Sequence, residues 1–322
     1  MRFPRGLGLV ALYIGALGVA LLLALPFRAA GLAASSNPNS ATGPIFIIVI
    51  IVAAPIGILL VARLSNGIAA LRAVILLAIA GSLLVTMYAA LSIVLPPPTP
   101  IPPYSTAQVF DAALIAASCL SVLLFLGLLM EPQWYLVDAV GFLAAGALAA
   151  VLGISFGILP TFILLIALAI YDAIAVYGTK HMVSLADVVT QMRLPILMVM
   201  PSAPGYDYTR APSLKVQRQA PVEEREALFM GLGDVVIPGT LVVSSYVFLP
   251  AVRLAGGLGA NLVVAIAALV GSLVGYAVLM ILVGRGNPQA GLPLLNGGAL
   301  AGYIVSYLVL FHSLSLGFSL QF

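Results

Sequence analysis

Apolar residues fill most of the chain in long stretches, and charged residues are concentrated in the segments between them. A helix needs an apolar run of roughly 20 residues to cross a bilayer. The pattern therefore predicts an all-α, polytopic membrane protein of about nine transmembrane helices. The predicted spans lie near residues 7–25, 44–62, 70–95, 107–130, 134–151, 159–179, 227–250, 258–283 and 289–311.

Composition excludes a soluble protein. The 322 residues are 63% hydrophobic and only 7% charged, with a mean hydropathy of +1.21. A soluble domain is about 45–50% apolar and about 25% charged. The first apolar stretch, after MRFPRG, is also longer than the roughly 7–15 residues of a cleavable signal peptide. We therefore expect it to be a retained first span.

The Lys/Arg distribution predicts the orientation. With the N-terminus inside, 11 of the 13 cations lie on the inner side and only Arg28 and Arg253 lie outside. The protein is accordingly predicted to be a multi-pass protein of the cell membrane, with the N-terminus and loop 181–226 cytoplasmic and the C-terminus outside. No basic cluster with interleaved aromatic residues is present, so nucleic acid is not an expected partner.

The long inner loop divides the chain into three parts. These are an N-terminal six-span bundle (1–180), the cytoplasmic loop (181–226) and a C-terminal three-span unit (227–322). The loop begins with an amphipathic pattern at 181–192, which predicts a short helix. The apolar stretch 192–204 is too short and too proline-broken to span, and either lies on the membrane surface or occludes a site.

Two acidic residues lie well inside predicted spans, Asp172 in the sixth and Asp234 in the seventh. Lys180 follows Asp172 by 8 residues, and Glu226 precedes Asp234 by 8 residues. At helical rise, both carboxylates are predicted ~12 Å below the same interface. Consecutive helices are usually neighbours, so the two side chains are expected to meet.

A carboxylate pair in a poorly solvated site tends to share one proton. The ionised member can activate a water molecule while the protonated member hydrogen-bonds the carbonyl under attack. This chemistry predicts an aspartyl protease, which needs no cofactor. Two alternatives remain open at this point: a proton- or cation-coupled transporter or channel that uses the same acids, and a buried acid pair kept for packing.

The residues near Asp234 favour access by a peptide. Gly231 and Gly233 remove side chains beside the carboxylate, and Pro238 deprives the Asp234 carbonyl of its helix hydrogen bond. Loosened backbone of this kind can pair with an unwound substrate as a strand. The stretch 287–298, rich in glycine and proline, opens the ninth span near the same depth.

These residues resemble the presenilin and signal-peptide-peptidase family of GxGD intramembrane aspartyl proteases. The matching features are Tyr171-Asp172, the motif Gly231-Leu232-Gly233-Asp234 and a proline-containing loop before the ninth span. The resemblance implies that Asp172 and Asp234 are catalytic. It also implies that the substrate site is shaped by Tyr171, Gly231, Leu232, Gly233, Gly291, Leu292 and Pro293.

The family's third motif is Pro-Ala-Leu, often followed by proline, and here the corresponding run is Ala290-Gly291-Leu292-Pro293. The seventh-span motif looks more like signal peptide peptidases, whereas the charge distribution matches presenilins, so we expect a presenilin-like microbial homologue. The resemblance implies transmembrane-helix substrates within the lipid bilayer. A homo-oligomer is compatible with the sequence.

The sequence gives little support for a serine hydrolase or a metal-dependent hydrolase. The run GISFG (153–157) fits the GxSxG pattern of serine hydrolases but lacks the required strand-turn-helix context. The sequence contains no HExxH motif. A cysteine cluster is also excluded, because the chain has a single cysteine, Cys119. We therefore expect no metal site.

Overall fold

The architecture comes from a computed structural model, which describes residues 5–64, 66–95, 111–179, 197–202, 206–208, 226–254, 256–284 and 289–318. Over these residues the fold is all-α apart from one two-stranded sheet. The helices are α1 (Arg5–Ala29), α2 (Thr42–Ala62), α3 (Gly67–Val94), α4 (Ala112–Met130), α5 (Trp134–Ser155), α6 (Ile158–Ala173), α7 (Gly233–Phe248), α8 (Ala260–Val283) and α9 (Leu292–Phe311). The predicted fold class is thus confirmed.

Eight of these helices are long and apolar enough to cross a membrane. Many of their large side chains remain exposed, among them Leu77 (75%), Val94 (76%) and Met130 (80%). Such surfaces suit contact with lipid, which solvates apolar groups that water would not. The proline-rich stretch LPPPTPIPPY (95–104) is predicted from its prolines to be an extended connector, and it lies outside the described residues except for Leu95.

The seventh span differs from the prediction. We expected a helix from 227 to 250, but residues Ala227–Gly231 form a strand, and the helix begins only at Gly233. At 16 residues α7 is as short as α6 and shorter than the other helices, and unlike α6 it is not extended by a π-helical turn. The apolar run was read as one helix because a short strand and a buried helix segment have the same hydrophobicity. The predicted helical depth of Asp234 was therefore derived from the wrong local conformation.

Helix α7 occupies the centre of the bundle. Every residue from 235 to 245 is buried, and the helix packs against α1, α5, α6, α8 and α9. A helix that is apolar all round must be enclosed on all sides. Pro238 lies within α7 without ending it, and the backbone just before Asp234 changes from strand to helix. The first span, α1, also contributes core residues such as Tyr13 and Leu17.

Helices α8 and α9 approach each other through glycines. A Cβ atom added at Gly271 would overlap the Gly298 carbonyl oxygen, and one added at Gly275 would overlap the Leu294 carbonyl oxygen. Small residues allow membrane helices to come into backbone contact. The run GSLVG (271–275) has the GxxxG spacing that is typical of packed membrane helices, and here it packs α8 against α9.

The sheet consists of β1 (Leu197–Pro201) and β2 (Ala227–Gly231), paired antiparallel with Leu197 opposite Gly231. Both interpretations of 192–204, as a surface segment or a plug, missed this pairing, because the partner strand is about 30 residues away in sequence. The predicted amphipathic helix at 181–192 lies outside the described residues.

Asp111 and Asp138 lie within about a turn of predicted span ends, and placement at helix ends near the interface explains acids at such positions. Asp111 is the N-cap of α4, where its carboxylate accepts a hydrogen bond from the Leu114 amide at 3.0 Å. Asp138 also lies near a helix start, but it is buried rather than exposed at an interface. It is the fifth residue of α5, only 4% of its surface is exposed, and its carboxylate accepts a hydrogen bond from the Val199 amide of β1.

Candidate active site

Asp172 lies near the end of α6, and 6% of its surface is exposed. Directly after it, residues Ile174–Thr179 wind into a π-helical turn. Such turns are rare and are often found at functional sites, because they re-aim side chains that a regular helix would place elsewhere. The sequence predicted the position of Asp172 within a span but not the change from α-helix to π-helix after it.

The start of α9 binds Asp172 through backbone amides. The Leu292 amide donates a hydrogen bond to Asp172 Oδ2 at 3.0 Å, and the Gly291 amide donates to the same carboxylate. The N-terminus of a helix carries unpaired amides and a partial positive charge. This end of α9 therefore stabilises negative charge on Asp172.

Asp234 lies in the first turn of α7, immediately after β2. Its carboxylate accepts a hydrogen bond from the Gly231 amide and interacts electrostatically with Asp172. A Cβ atom added at Gly291 would lie 3.3 Å from both carboxylate oxygens of Asp234, which is tighter than ordinary contact. The loop before α9 thus contacts both acids: its amides bind one and its glycine lies against the other.

The predicted site residues occupy different places around this pair. Leu232 occupies the position just before the first residue of α7 without a side-chain capping hydrogen bond, and Pro293 lies in the first turn of α9, where a proline is tolerated. At Gly233, which is exposed, no described atom lies within 4 Å of an added Cβ. Gly233 therefore leaves open space beside Asp234. An added Cβ at Gly231 would make ordinary contact with Asp234 Oδ2 at 3.5 Å, and only the one at Gly291 would be tighter than that. Tyr171 is partly buried next to Asp172.

Tyr177 joins the π-helical turn to the same loop, and sequence reasoning missed it. Its hydroxyl donates to Gln289 Oε1 at 2.9 Å and accepts from the Ala290 amide at 3.2 Å. The side chain thereby ties the end of α6 to the residues just before Gly291. Its position five residues after Asp172 was visible, but a regular helix would not have aimed it at this loop.

Helices α1 and α8 each carry a buried tyrosine in the core that encloses α7. Tyr13 of α1 is hydrogen-bonded to Ser272 of α8, and Tyr276 lies one turn further along α8. The Tyr276 hydroxyl is buried and has no hydrogen-bond partner among the described residues. The spacing of Ser272 and Tyr276 in α8 places both on one face of that helix.

The serine motif is structural. Ser155 is buried and its hydroxyl accepts a hydrogen bond from the Ala34 amide at 2.7 Å. Within the described part of the chain, no group of three His, Cys, Asp or Glu residues could hold a metal ion. The arrangement of the described site residues is therefore that of two carboxylates held by backbone amides.

Comparison with known proteins agrees with this arrangement. The family model described as signal-peptide peptidase, presenilin aspartyl protease matches residues 10–312. The chain is also similar to a solved presenilin-family intramembrane aspartate protease in two crystal forms. The first is 32% identical over 95% of this chain and 99% of that one, and the second is 33% identical over 95% and 98%, each with a TM-score of 0.65. No individually curated protein sequence matches the chain.

Proposed function

The chain belongs to the signal-peptide peptidase and presenilin family of aspartyl proteases, and from that premise we propose that Asp172 and Asp234 are its catalytic pair. The protein is an intramembrane aspartyl endopeptidase, and its substrates are membrane helices. One observation carries the assignment of the pair. The loop Gly291–Leu292 contacts both carboxylates at once, which holds two acids from different helices around one point.

The two carboxylates perform hydrolysis without a covalent intermediate. The ionised carboxylate takes a proton from a water molecule, whose oxygen attacks the peptide carbonyl. The protonated carboxylate donates a hydrogen bond to the carbonyl oxygen as it becomes tetrahedral. The C–N bond then breaks as the nitrogen receives a proton from the pair. Amides from α9 complement the negative charge on Asp172 and fix its orientation.

The substrate site lies around β2 and the loop before α9. A transmembrane helix has its carbonyls hydrogen-bonded internally, so it must unwind before cleavage. An unwound segment can add as a strand to a sheet edge, and β2 leads directly into Asp234. The helices that pack most against the sheet, α5 and α1, contact β1. Gly231, Leu232, Gly233, Gly291, Leu292, Pro293 and Tyr171 border this space in our proposal.

The orientation and the organisation remain those that the sequence predicts. The N-terminus and loop 181–226 face the cytoplasm and the C-terminus lies outside, supported by the distribution of 11 inner cations against 2 outer ones. We keep the division into the parts 1–180, 181–226 and 227–322, which describes how the chain crosses the membrane. The first and third parts pack together rather than folding separately, because α7 contacts α1, α5 and α6. Protease added from outside should digest the loop in inside-out membrane vesicles and leave it intact in whole cells.

Reconstitution into liposomes tests the function. The purified protein is incubated with a tagged single-span substrate, and products are separated by size. Cleavage by the wild type and none by Asp172→Ala or Asp234→Ala supports the pair. Cleavage that persists in either variant contradicts it. The transporter alternative has no support in the comparisons, and it would require proton-coupled solute uptake without any cleavage. Gel filtration of the same sample tests for a homo-oligomer.

A further inference from the structure

Asp138 is a buried carboxylate that the proposed reaction does not use. Its Oδ1 accepts a hydrogen bond of 2.6 Å from the amide of Val199, and both residues are almost completely enclosed, at 4% and 0% exposure. Burying a carboxylate is costly unless it is hydrogen-bonded. An acid placed there for packing alone would be replaced at less cost by an apolar residue.

The hydrogen bond closes one edge of the sheet. Ser202 directs its amide to the Glu226 carbonyl oxygen on the β2 side, at 2.8 Å. Because amides alternate in direction along an antiparallel strand, Val199 and Pro201 face away from β2. Asp138 occupies the Val199 amide, and Pro201 has no amide to offer. This edge of β1 therefore cannot accept another strand at these two positions.

The same contact is linked to Asp234 through the sheet. Val199 lies opposite Phe229, and Leu197 lies opposite Gly231, whose amide binds Asp234. Helix α5 also packs along α7, which carries Asp234. Asp138 thus fixes β1 to the helix next to the catalytic one, and β1 fixes the strand that leads into the site.

We propose that Asp138 is a positioning residue that sets the register between the sheet and Asp234, and thereby which peptide bond of a strand-paired substrate is cleaved. Its role rests on the catalytic pair and the β2 substrate site proposed above. A one-residue shift of a strand moves every side chain to the opposite face. Looser anchoring of β1 should therefore spread cleavage over neighbouring bonds as well as slow it.

The test compares Asp138→Asn, Asp138→Ala and Asp138→Glu in the purified full-length protein. Each is incubated with a tagged single-span substrate, the cleaved bonds are identified by mass spectrometry, and kcat and KM are measured on the folded fraction. Asn keeps an acceptor for the Val199 amide, and we expect wild-type bonds and a kcat within about threefold of wild type. Ala removes the acceptor, and we expect a kcat lowered about tenfold or more with new products one or two residues away.

Asp111→Ala is the matched control, because it also removes a carboxylate that accepts a backbone amide, here at the start of α4. That carboxylate also accepts a hydrogen bond from the Tyr88 hydroxyl, and α4 packs mainly against α3. We expect this substitution to lower the melting temperature without changing the cleaved bonds. If Asp138→Ala does not fold, Asp138→Glu decides, since it keeps the carboxylate but displaces it by a methylene group. Unchanged bonds and unchanged kcat in the folded Ala variant, or in the folded Glu variant, would overturn the role of Asp138. Failure of the catalytic pair is separately visible as activity in Asp172 or Asp234 variants.

Discussion

The Leu292 amide donates a 3.0 Å hydrogen bond to the carboxylate of Asp172 across 120 residues of sequence. This bond places the N-terminus of α9 at the proposed catalytic pair. The loop that precedes α9 is thereby part of the site, although it carries no acid or base of its own. Its contribution is geometric, and it can be tested by changing its shape without changing its charge.

Substitutions at Gly291 should reduce activity in proportion to their size. An added Cβ lies 3.3 Å from both oxygens of Asp234, so Gly291→Ala requires a shift of only a few tenths of an ångström. The resembled motif carries alanine at this position, and we expect a loss in kcat below about fivefold. Gly291→Val adds two more methyl groups than alanine beside the Asp234 carboxylate. If they displace that carboxylate by about 1 Å, we expect kcat to fall about 100-fold.

Gly297→Val is the matched control for this series. It lies on the same helix, is exposed, and has no described atom within 4 Å of an added Cβ. We expect kcat within about twofold of wild type. Equal losses at Gly291 and Gly297 would show that α9, rather than the approach to Asp234, is sensitive to bulk.

Removing the Tyr177 hydroxyl should loosen the same loop. Tyr177→Phe removes the hydrogen bonds to Gln289 and Ala290 but keeps the ring, and we expect kcat to fall about three- to tenfold. Because the Tyr177–Gln289 bond is shared, Tyr177→Phe and Gln289→Ala should be non-additive by about 0.5–1.5 kcal/mol in a double-mutant cycle. Fully additive losses would mean that this bond does not contribute to activity.

Bulk between α8 and α9 should reduce stability. Gly271→Leu would force apart backbones that are in direct contact at Gly298, and we expect a loss of at least about 3 kcal/mol, because overpacking of this kind cannot relax. Thermal unfolding in detergent measures it. Gly81→Leu is the control, since Gly81 is exposed on α3 and no described atom lies within 4 Å of an added Cβ. Similar melting temperatures for the two variants would contradict close packing of α8 on α9.

The proposed catalytic pair should give a bell-shaped dependence of kcat/KM on pH. Activity requires one ionised and one protonated carboxylate, so it is lost at low pH when both are protonated and at high pH when both are ionised. The two apparent values belong to the pair and cannot be assigned to Asp172 or Asp234 individually. A rate that is constant from acid to alkaline pH would contradict the shared proton.

The sequence predicted the fold class and the two acids for a simple physical reason. Spanning helices require long apolar runs, and a charge within such a run is conspicuous. The strand at 227–231 was not predicted, because its composition is as apolar as the helix that follows. Only its pairing with β1, which is distant in sequence, distinguishes the two conformations.

Tyr177 and Asp138 were missed for a related reason. Tyr177 reaches the loop before α9 because the helix changes to π winding after Asp172, and local sequence does not indicate that change. Asp138 looked like a helix-end acid near the interface, and its actual partner is a backbone amide of β1. Backbone partners have no sequence signature, so contacts of this type become visible only in the folded structure.

The most direct test of the central claim is a double-mutant cycle on the proposed catalytic pair, Asp172 and Asp234. Asp172→Asn, Asp234→Asn and the double variant keep the shape of the side chains, and cleavage of a single-span substrate is measured for each under single-turnover conditions. Groups that act as one unit are strongly non-additive. We predict that each single variant loses at least about 1000-fold and that the double variant loses no more. The claim that Asp172 and Asp234 act as one catalytic unit would be contradicted if a single variant retained about a tenth of wild-type activity. It would also be contradicted if the losses multiplied in the double variant.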